Sequence, residues 1–266
     1  LSAPPHAAPE RTGPLWRLHS DRVNRRLIER WLAGRSGAVL KTDLYDEYRT
    51  QGLFPALTEQ FDRVCGIDID PEVVAGSAER HPGLEALVAD VRSLPFADSS
   101  FDAVVSNSTL DHFDGPAPVA SSLAEIRRVL RPGGALVVTM DNPRNPLIAL
   151  RNRLPSDAAE ALRNGFPYPS GWTTDAAGLR AMLESAGLAV IETTAVCHAP
   201  RALLALARRP VDPSWRRLAA AVRLEALERL PTRTLTGHFV AALAVRPAGS
   251  RDPAPTPRPR APRARS

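Results

Sequence analysis

From Gly37 to Asp141 the chain alternates short apolar runs with longer segments whose apolar positions recur every three or four residues. The runs GAVLKTDLY (37–45), RVCGIDI (63–69), EALVADV (85–91), FDAVVSNS (101–108) and ALVVTMD (135–141) are rich in Val, Ile, Leu and Ala. Such runs fit strands buried on both faces of a parallel sheet. Between them, LFPALTEQF (53–61), PEVVAGSAERHP (71–82) and PVASSLAEIRRVL (118–130) read as helices. The second should begin with Asp70 as N-cap and Pro71 at the first helical position. The third should stop at RPGG, where Pro and Gly turn the chain into the next strand. Strands alternating with helices in this way predict an α/β fold. The sheet is doubly wound and mostly parallel, with right-handed crossovers and helices on both faces.

The flanks follow other rules. Residues 1–13 are Pro-rich and predict a flexible N-terminus. From 14 to 34, Leu15, Leu18, Val23, Leu27, Ile28, Trp31 and Leu32 are spaced mostly by three and four, which predicts an N-terminal helix. After Asn142 the rhythm breaks: the stretch 143–175 holds Pro143, Pro146, Pro155, Pro167 and Pro169, with Phe166, Tyr168 and Trp172. A helix returns at 176–188 and ends near Gly187. AVIETTAVCH (189–198) reads as strand six, two helical stretches fill 200–230, and GHFVAALAVRP (237–247) closes the sheet as strand seven. One domain over 14–247 is expected, with helical insertions at 143–175 and 199–235 and a tail at 248–266.

Composition sharpens this in three places. The net charge of +5 suggests nucleic acid until it is located: the tail carries five Arg and one Asp, so residues 1–247 hold only +1. A Pro/Arg segment with almost no apolar residues cannot bury enough surface to order itself. With no aromatic for stacking, it reads as a solvated terminus rather than a nucleic-acid arm. Cys65 and Cys197 fall in apolar runs and read as buried hydrophobes, so neither a disulfide framework nor a metal site is expected. The first residues lack the charged-then-apolar pattern of a signal peptide, and no apolar run reaches the ~18 residues of a membrane span. A cytoplasmic protein is the expectation.

Candidate chemistry sits at the strand ends, because open α/β sheets bind ligands beyond the carboxyl ends of their strands. Asp68, Asp90, Ser106 and Asn107 occupy those positions. The ordered series RVCGIDIDP, ALVADVRSLPF, FDAVVSNSTLDHF and RVLRPGGALVVTMDNP resembles the class I S-adenosylmethionine (SAM)-dependent methyltransferases. The resemblance is strongest to the small-molecule branch related to ubiquinone and menaquinone biosynthesis enzymes, and it covers roughly 37–245. It implies a Rossmann-like seven-stranded sheet whose last strand is inserted antiparallel beside strand six. It also implies SAM as cofactor, with Asp68 on the ribose diol and Ile69 next to it. Asp90 would lie on the adenine amino group, Val91 would offer its backbone N–H to the ring, and Ser106 and Asn107 would sit near the methionyl part. Methyl transfer to a small-molecule acceptor is the implied function.

The first strand departs from that pattern. The family usually shows an acid followed by alternating glycines, whereas VLKTDLYDEYRTQG has no glycine before Gly52 and puts Lys41 where the acid would align. Either Asp43, Asp46 or Glu47 replaces the missing acid by pairing with the methionyl ammonium, or the pocket is degenerate and the chain is a non-catalytic binding or regulatory module. The absence of GxGxxG argues against a nicotinamide dehydrogenase. His112 is the candidate general base, if the acceptor must lose a proton, and Asp111 could orient it; a packing role is the competing reading. The insertions bring Phe166, Tyr168, Trp172, Arg144, Arg151, Arg153 and Arg163. The resemblance implies that they lie over the transferable methyl, where they suit a partly apolar acceptor with acidic groups.

Overall fold

The computed structural model describes residues 14–153, 171–200 and 220–249. Phe166, Tyr168, Arg163 and most of the tail lie outside the described residues. The strands are β1 (Ala38–Lys41), β2 (Arg63–Asp68), β3 (Leu84–Val88), β4 (Phe101–Asn107), β5 (Leu130–Asp141), β6 (Ala189–Val196) and β7 (Phe239–Val245). The helices are α1 (Pro14–Trp31), α2 (Tyr45–Arg49), α3 (Phe54–Thr58), α4 (Pro71–Arg80), α5 (Pro116–Val129), α6 (Pro146–Arg153), α7 (Ala176–Ser185) and α8 (Arg233–Thr236). Single 3-10 turns occur at Leu110–His112 and Glu225–Arg229.

The seven strands form one sheet in the order β3-β2-β1-β4-β5-β7-β6. All neighbours from β3 to β5 are parallel. β7 runs antiparallel to both β5 and β6, which is the inserted last strand that the sequence resemblance implies. Successive β1 residues face opposite ways. Val39 packs under α1 with Leu27, Ile28 and Leu57, whereas Leu40 packs on the other face with Leu123, Ile126 and Leu183. Two apolar layers therefore sandwich the sheet, as near-continuous apolar strands require.

Local signals acted where expected. Asp70 Oδ1 accepts the Glu72 N–H at 2.8 Å, with Pro71 opening α4. Gly187 ends α7 in the left-handed region at φ +77°, a conformation glycine adopts without steric cost. Three elements differ from expectation. β5 begins at Leu130, so RPGG, read from sequence as the turn before the strand, lies within its span, where the register against β4 shifts. The first apolar run is a strand only to Lys41, and residues 45–49, read from sequence as the run's end and the loop after it, form α2. The first turns of α1 are also rotated: Trp16, Arg17 and His19 are buried while Leu18 points outward. Apolar spacing predicted the reverse, because it could not know that these turns cover Asp46 and Glu225.

Candidate functional site

Strand order reverses between β1 and β4: the chain runs outward through β2 and β3 on one side and through β5 on the other. The crevice beyond the carboxyl ends of these two strands is where open α/β sheets bind ligands. Its walls are the turn after β1, the end of β2, the end of β4 and the segment after β3.

The turn after β1 is filled by its own side chains. Lys41 Nζ lies 2.8 Å from Glu47 Oε2 and donates to the Asp43 carbonyl; the Lys41 and Glu47 side chains are 3% and 1% exposed. Burial works against the ammonium, but Glu47, with Asp43 and Asp46, holds the Lys41 pKa above its usual value. Glu47 Oε1 also accepts the Leu53 N–H at 2.8 Å. Leu44 is fully buried against Gly66 of β2, where a Cβ would collide with it, and Tyr48 likewise lies against Gly76 of α4. Arg17 of α1 pairs with Asp46 and lies 5.4 Å from the Tyr45 ring centroid. Of the three acids that could replace the missing one, Glu47 and Asp46 are engaged, and Asp43 keeps one oxygen free. Its Oδ1 accepts the Tyr45 N–H at 3.0 Å, and Oδ2 has no hydrogen bond among the described residues. Burial, with Asp68 and Asp46 nearby, pushes the Asp43 carboxyl up to about 7 against the pull of Lys41 and His112.

Asp68 ends β2 almost buried, at 9% exposure. Its Oδ1 accepts the Asp70 N–H at 2.9 Å and its Oδ2 the Leu44 N–H at 3.2 Å. An ionised carboxylate has about four acceptor sites, so about two remain. Ile69 follows with its side chain outward, 58% exposed. After β3, Asp90 is held by Arg92, with Nε 3.0 Å from both carboxylate oxygens and Nη2 2.5 Å from Oδ2. The pair draws the Asp90 pKa below the ordinary carboxylate range. The same guanidinium lies 5.2 Å from the Phe113 ring centroid. Val91 is buried in the core, leaving its backbone as the part open to chemistry.

At the end of β4, Thr42 Oγ1 stands 3.0 Å from both Ser106 Oγ and Thr109 Oγ1, joining the two walls. Asn107 Oδ1 is sealed from solvent and lacks a hydrogen-bond partner among the described residues. Ser108 takes φ +46°, an uncommon value for a side-chain-bearing residue and often a mark of functional turns. His112 is exposed on the rim. Asp111 does not orient it: the carboxylate accepts the Ser108 hydroxyl at 2.9 Å and the Asp141 N–H at 2.9 Å, tying β4 to β5. Burial, then Asp141, pushes the Asp111 pKa up. The backbone N–H of Trp172 donates to the Phe113 carbonyl at 2.6 Å, and Arg144 Nη1 lies 3.7 Å from Asp175 Oδ2.

Sequence reasoning missed Arg17, Asp21, Thr42, Arg92 and a buried contact between Asp141 Oδ1 and His238 Nε2 at 3.5 Å. No periodicity signals partners this far apart in the chain; only the Asp90–Arg92 spacing was available to find one.

Residues 50–138 match a family model described as a methyltransferase domain. The match begins after the β1 turn, at the point where the sequence rejoins the family pattern. Residues 50–138 carry a methyltransferase domain. A demethylmenaquinone methyltransferase of Chlorobaculum parvum is 33% identical over 113 residues, 40% of this chain and 46% of that protein. The chain spans about half the length of the curated relatives it matches. The methyltransferase fold also recurs in solved structures. Geranyl diphosphate C-methyltransferase of Streptomyces coelicolor A3(2), in complex with Mg2+, geranyl diphosphate and S-adenosyl-L-homocysteine, superposes with TM-score 0.56 at 15% identity, covering 84% of this chain and 78% of that one. The [4+2]-cyclase SpnF superposes with TM-score 0.58 at 21% identity, covering 86% and 82%. At these identities the likeness shows the fold alone. Among the described residues no helix is long and apolar enough to cross a membrane, and no group of His, Cys, Asp and Glu could hold a metal ion.

Proposed function

We propose that the protein transfers the methyl group of SAM to a small-molecule acceptor in the crevice between β1 and β4. The observation that carries this reading is Asp68: a nearly buried acid at the end of β2, in a domain of this family, with acceptor sites left for two vicinal hydroxyls. Two further features fit the same group. Ile69 offers an exposed apolar surface beside Asp68 for an aromatic ring, and Asn107 Oδ1 is a buried acceptor awaiting a donor.

SAM supplies an electrophilic methyl on a sulfonium leaving group. Asp68 would accept the ribose hydroxyls, and Asp90, once released by Arg92, the adenine amino group. Val91 would donate its backbone N–H to the ring. Asp43, Ser106 and Asn107 would surround the methionyl part. Transfer is an in-line displacement that depends on positioning. The chain's own contribution is therefore a shaped crevice, with exposed His112 at its rim to take a proton from an acceptor that carries one.

Asp68→Ala should weaken SAM binding by about 1.5–3 kcal/mol, the range for hydrogen bonds to a charged group. Calorimetric titration checks this, and an unchanged affinity would overturn the assignment. A second reading, binding without methyl transfer or a different reaction on the same fold, is favoured by the filled turn after β1. The fold also serves a protein named as a cyclase. SAM binding without methyl loss across a panel of acidic and apolar acceptors would favour it.

A further inference from the structure

We infer that Asp43 is the residue by which this site distinguishes SAM from its demethylated product. The inference rests on the cofactor reading above and adds to it which part of the cofactor Asp43 meets: the sulfonium, present only before transfer, rather than the ammonium that both molecules share.

The geometry is a matter of order across the crevice. Asp68 and Asp43 hold successive amides of one turn, Leu44 N–H at 3.2 Å and Tyr45 N–H at 3.0 Å, so their carboxylates stand side by side. The start of that turn is tied to the opposite wall through Thr42 and Thr109, three residues before His112. Asp43 thus has both the β2 acid and His112 within electrostatic reach. In SAM the sulfur is attached to the ribose carbon on one side and bears the methyl on the other. A cofactor with its ribose on Asp68 and its methyl toward that rim would bring its sulfur near Asp43.

Transfer changes the charge at that atom. The S–CH3 bond breaks, the methyl bonds to the acceptor, sulfur keeps the electron pair and goes from +1 to neutral, and a proton leaves the acceptor when it carries one. Facing Asp43 are Lys41 from β1, Asp46 and Glu47 from α2, Asp68 from β2 and His112 after β4, with Arg17 and Asp21 of α1 behind the turn. Lys41, though paired with Glu47, already acts on Asp43, and Asp46 engages Arg17, so a sulfonium at this point would add one more cation beside Asp43 and Asp68. After transfer that added attraction is gone while the ammonium shared by both molecules remains. Because burial and the neighbouring carboxylates push the Asp43 carboxyl up to about 7, the preference for SAM should grow as pH rises through that value.

The test measures dissociation constants of SAM and S-adenosylhomocysteine at pH 5.5 and 8.5, for the wild type and Asp43→Asn. Asn keeps the acceptor for the Tyr45 N–H. The wild type should prefer SAM about tenfold more strongly at the higher pH, the size of one partly screened charge contact. Asp43→Asn should lose that dependence while binding the homocysteine product within about twofold, which also reports that the variant is folded. Calorimetry of the wild type in two buffers of different ionisation enthalpy should show more proton release on binding SAM than on binding product. Equal loss of both ligands in Asp43→Asn would assign Asp43 to the shared ammonium and overturn the inference alone. So would a preference that does not vary with pH. Failure of the wild type to bind either ligand would overturn the cofactor reading and this inference with it.

Discussion

Lys41 is a charged residue in a place that ordinarily excludes one. A buried ammonium is tolerable when its partner is close and the remaining polar groups are satisfied, as Glu47, the Asp43 carbonyl and the Leu53 amide arrange here. Removing one member leaves an uncompensated charge, so Lys41→Met should destabilise the fold by about 3–5 kcal/mol. The double variant Lys41→Met, Glu47→Gln keeps an acceptor for Leu53 and should recover most of the loss. Chemical denaturation of the three proteins decides the matter; if the double variant is no more stable than the single, the pair is not what holds the turn. None of this was legible in sequence. Lys41 could be noticed as the chain's one lysine, but its partner six residues on is brought round by a five-residue helix with no apolar period.

At the scale of elements, the unusual assembly is α1 laid over the turn after β1. Arg17 reaches Asp46, and Asp21 sits close enough to Asp46 and Glu47 to feel both. Burial first, and those two carboxylates next, push Asp21 up to about 7, against Arg17 and Lys41. An Asp in an unfolded chain titrates near ~3.9. Between these values the folded state keeps a proton that the unfolded state has lost. The residue's contribution is thus most favourable below about 4, declines as pH rises to about 7 and is constant above. Asp21→Asn should therefore raise the melting temperature more at pH 8 than at pH 4, as scanning calorimetry can show; an equal change at both would mean Asp21 ionises freely. The rhythm of strands and helices was readable because a parallel sheet imposes continuous apolar runs on its strands and a periodic face on its helices. The direction of β7 was not: Phe239–Val245 carries the same apolar character whichever way it runs, and only the resemblance supplied it.

Across the whole molecule, the crevice is walled by four separate chain segments, and sequence showed those with polar residues at strand ends. It also singled out Arg144, which follows β5, and Trp172, which lies beside Phe113, for the proposed acceptor side, but not their partners Asp175 and Phe113. These residues approach the crevice beyond β4 and β5, whereas Asp68 and Asp90 lie on the β2–β3 side. Arg144→Ala should then raise the acceptor KM or lower kcat while SAM affinity stays within about twofold, the pattern of a contact made to one substrate only. Steady-state kinetics beside calorimetry separates the two, and a parallel loss of SAM affinity would move Arg144 to the cofactor side.

The seating of Leu44 against Gly66 and Tyr48 against Gly76 has a kinetic consequence. A wall anchored in the core by Leu44, with Tyr48 packed half-buried beside it, cannot swing aside without exposing apolar surface, so the β1 half of the crevice keeps one shape whether empty or filled. The β3 half is different, since Arg92 clasps Asp90 near solvent and must let go before that carboxylate can serve anything else. The rearrangement that occupation requires therefore falls on one guanidinium at the far end, and a visitor meets a finished mould on one side and a latch on the other.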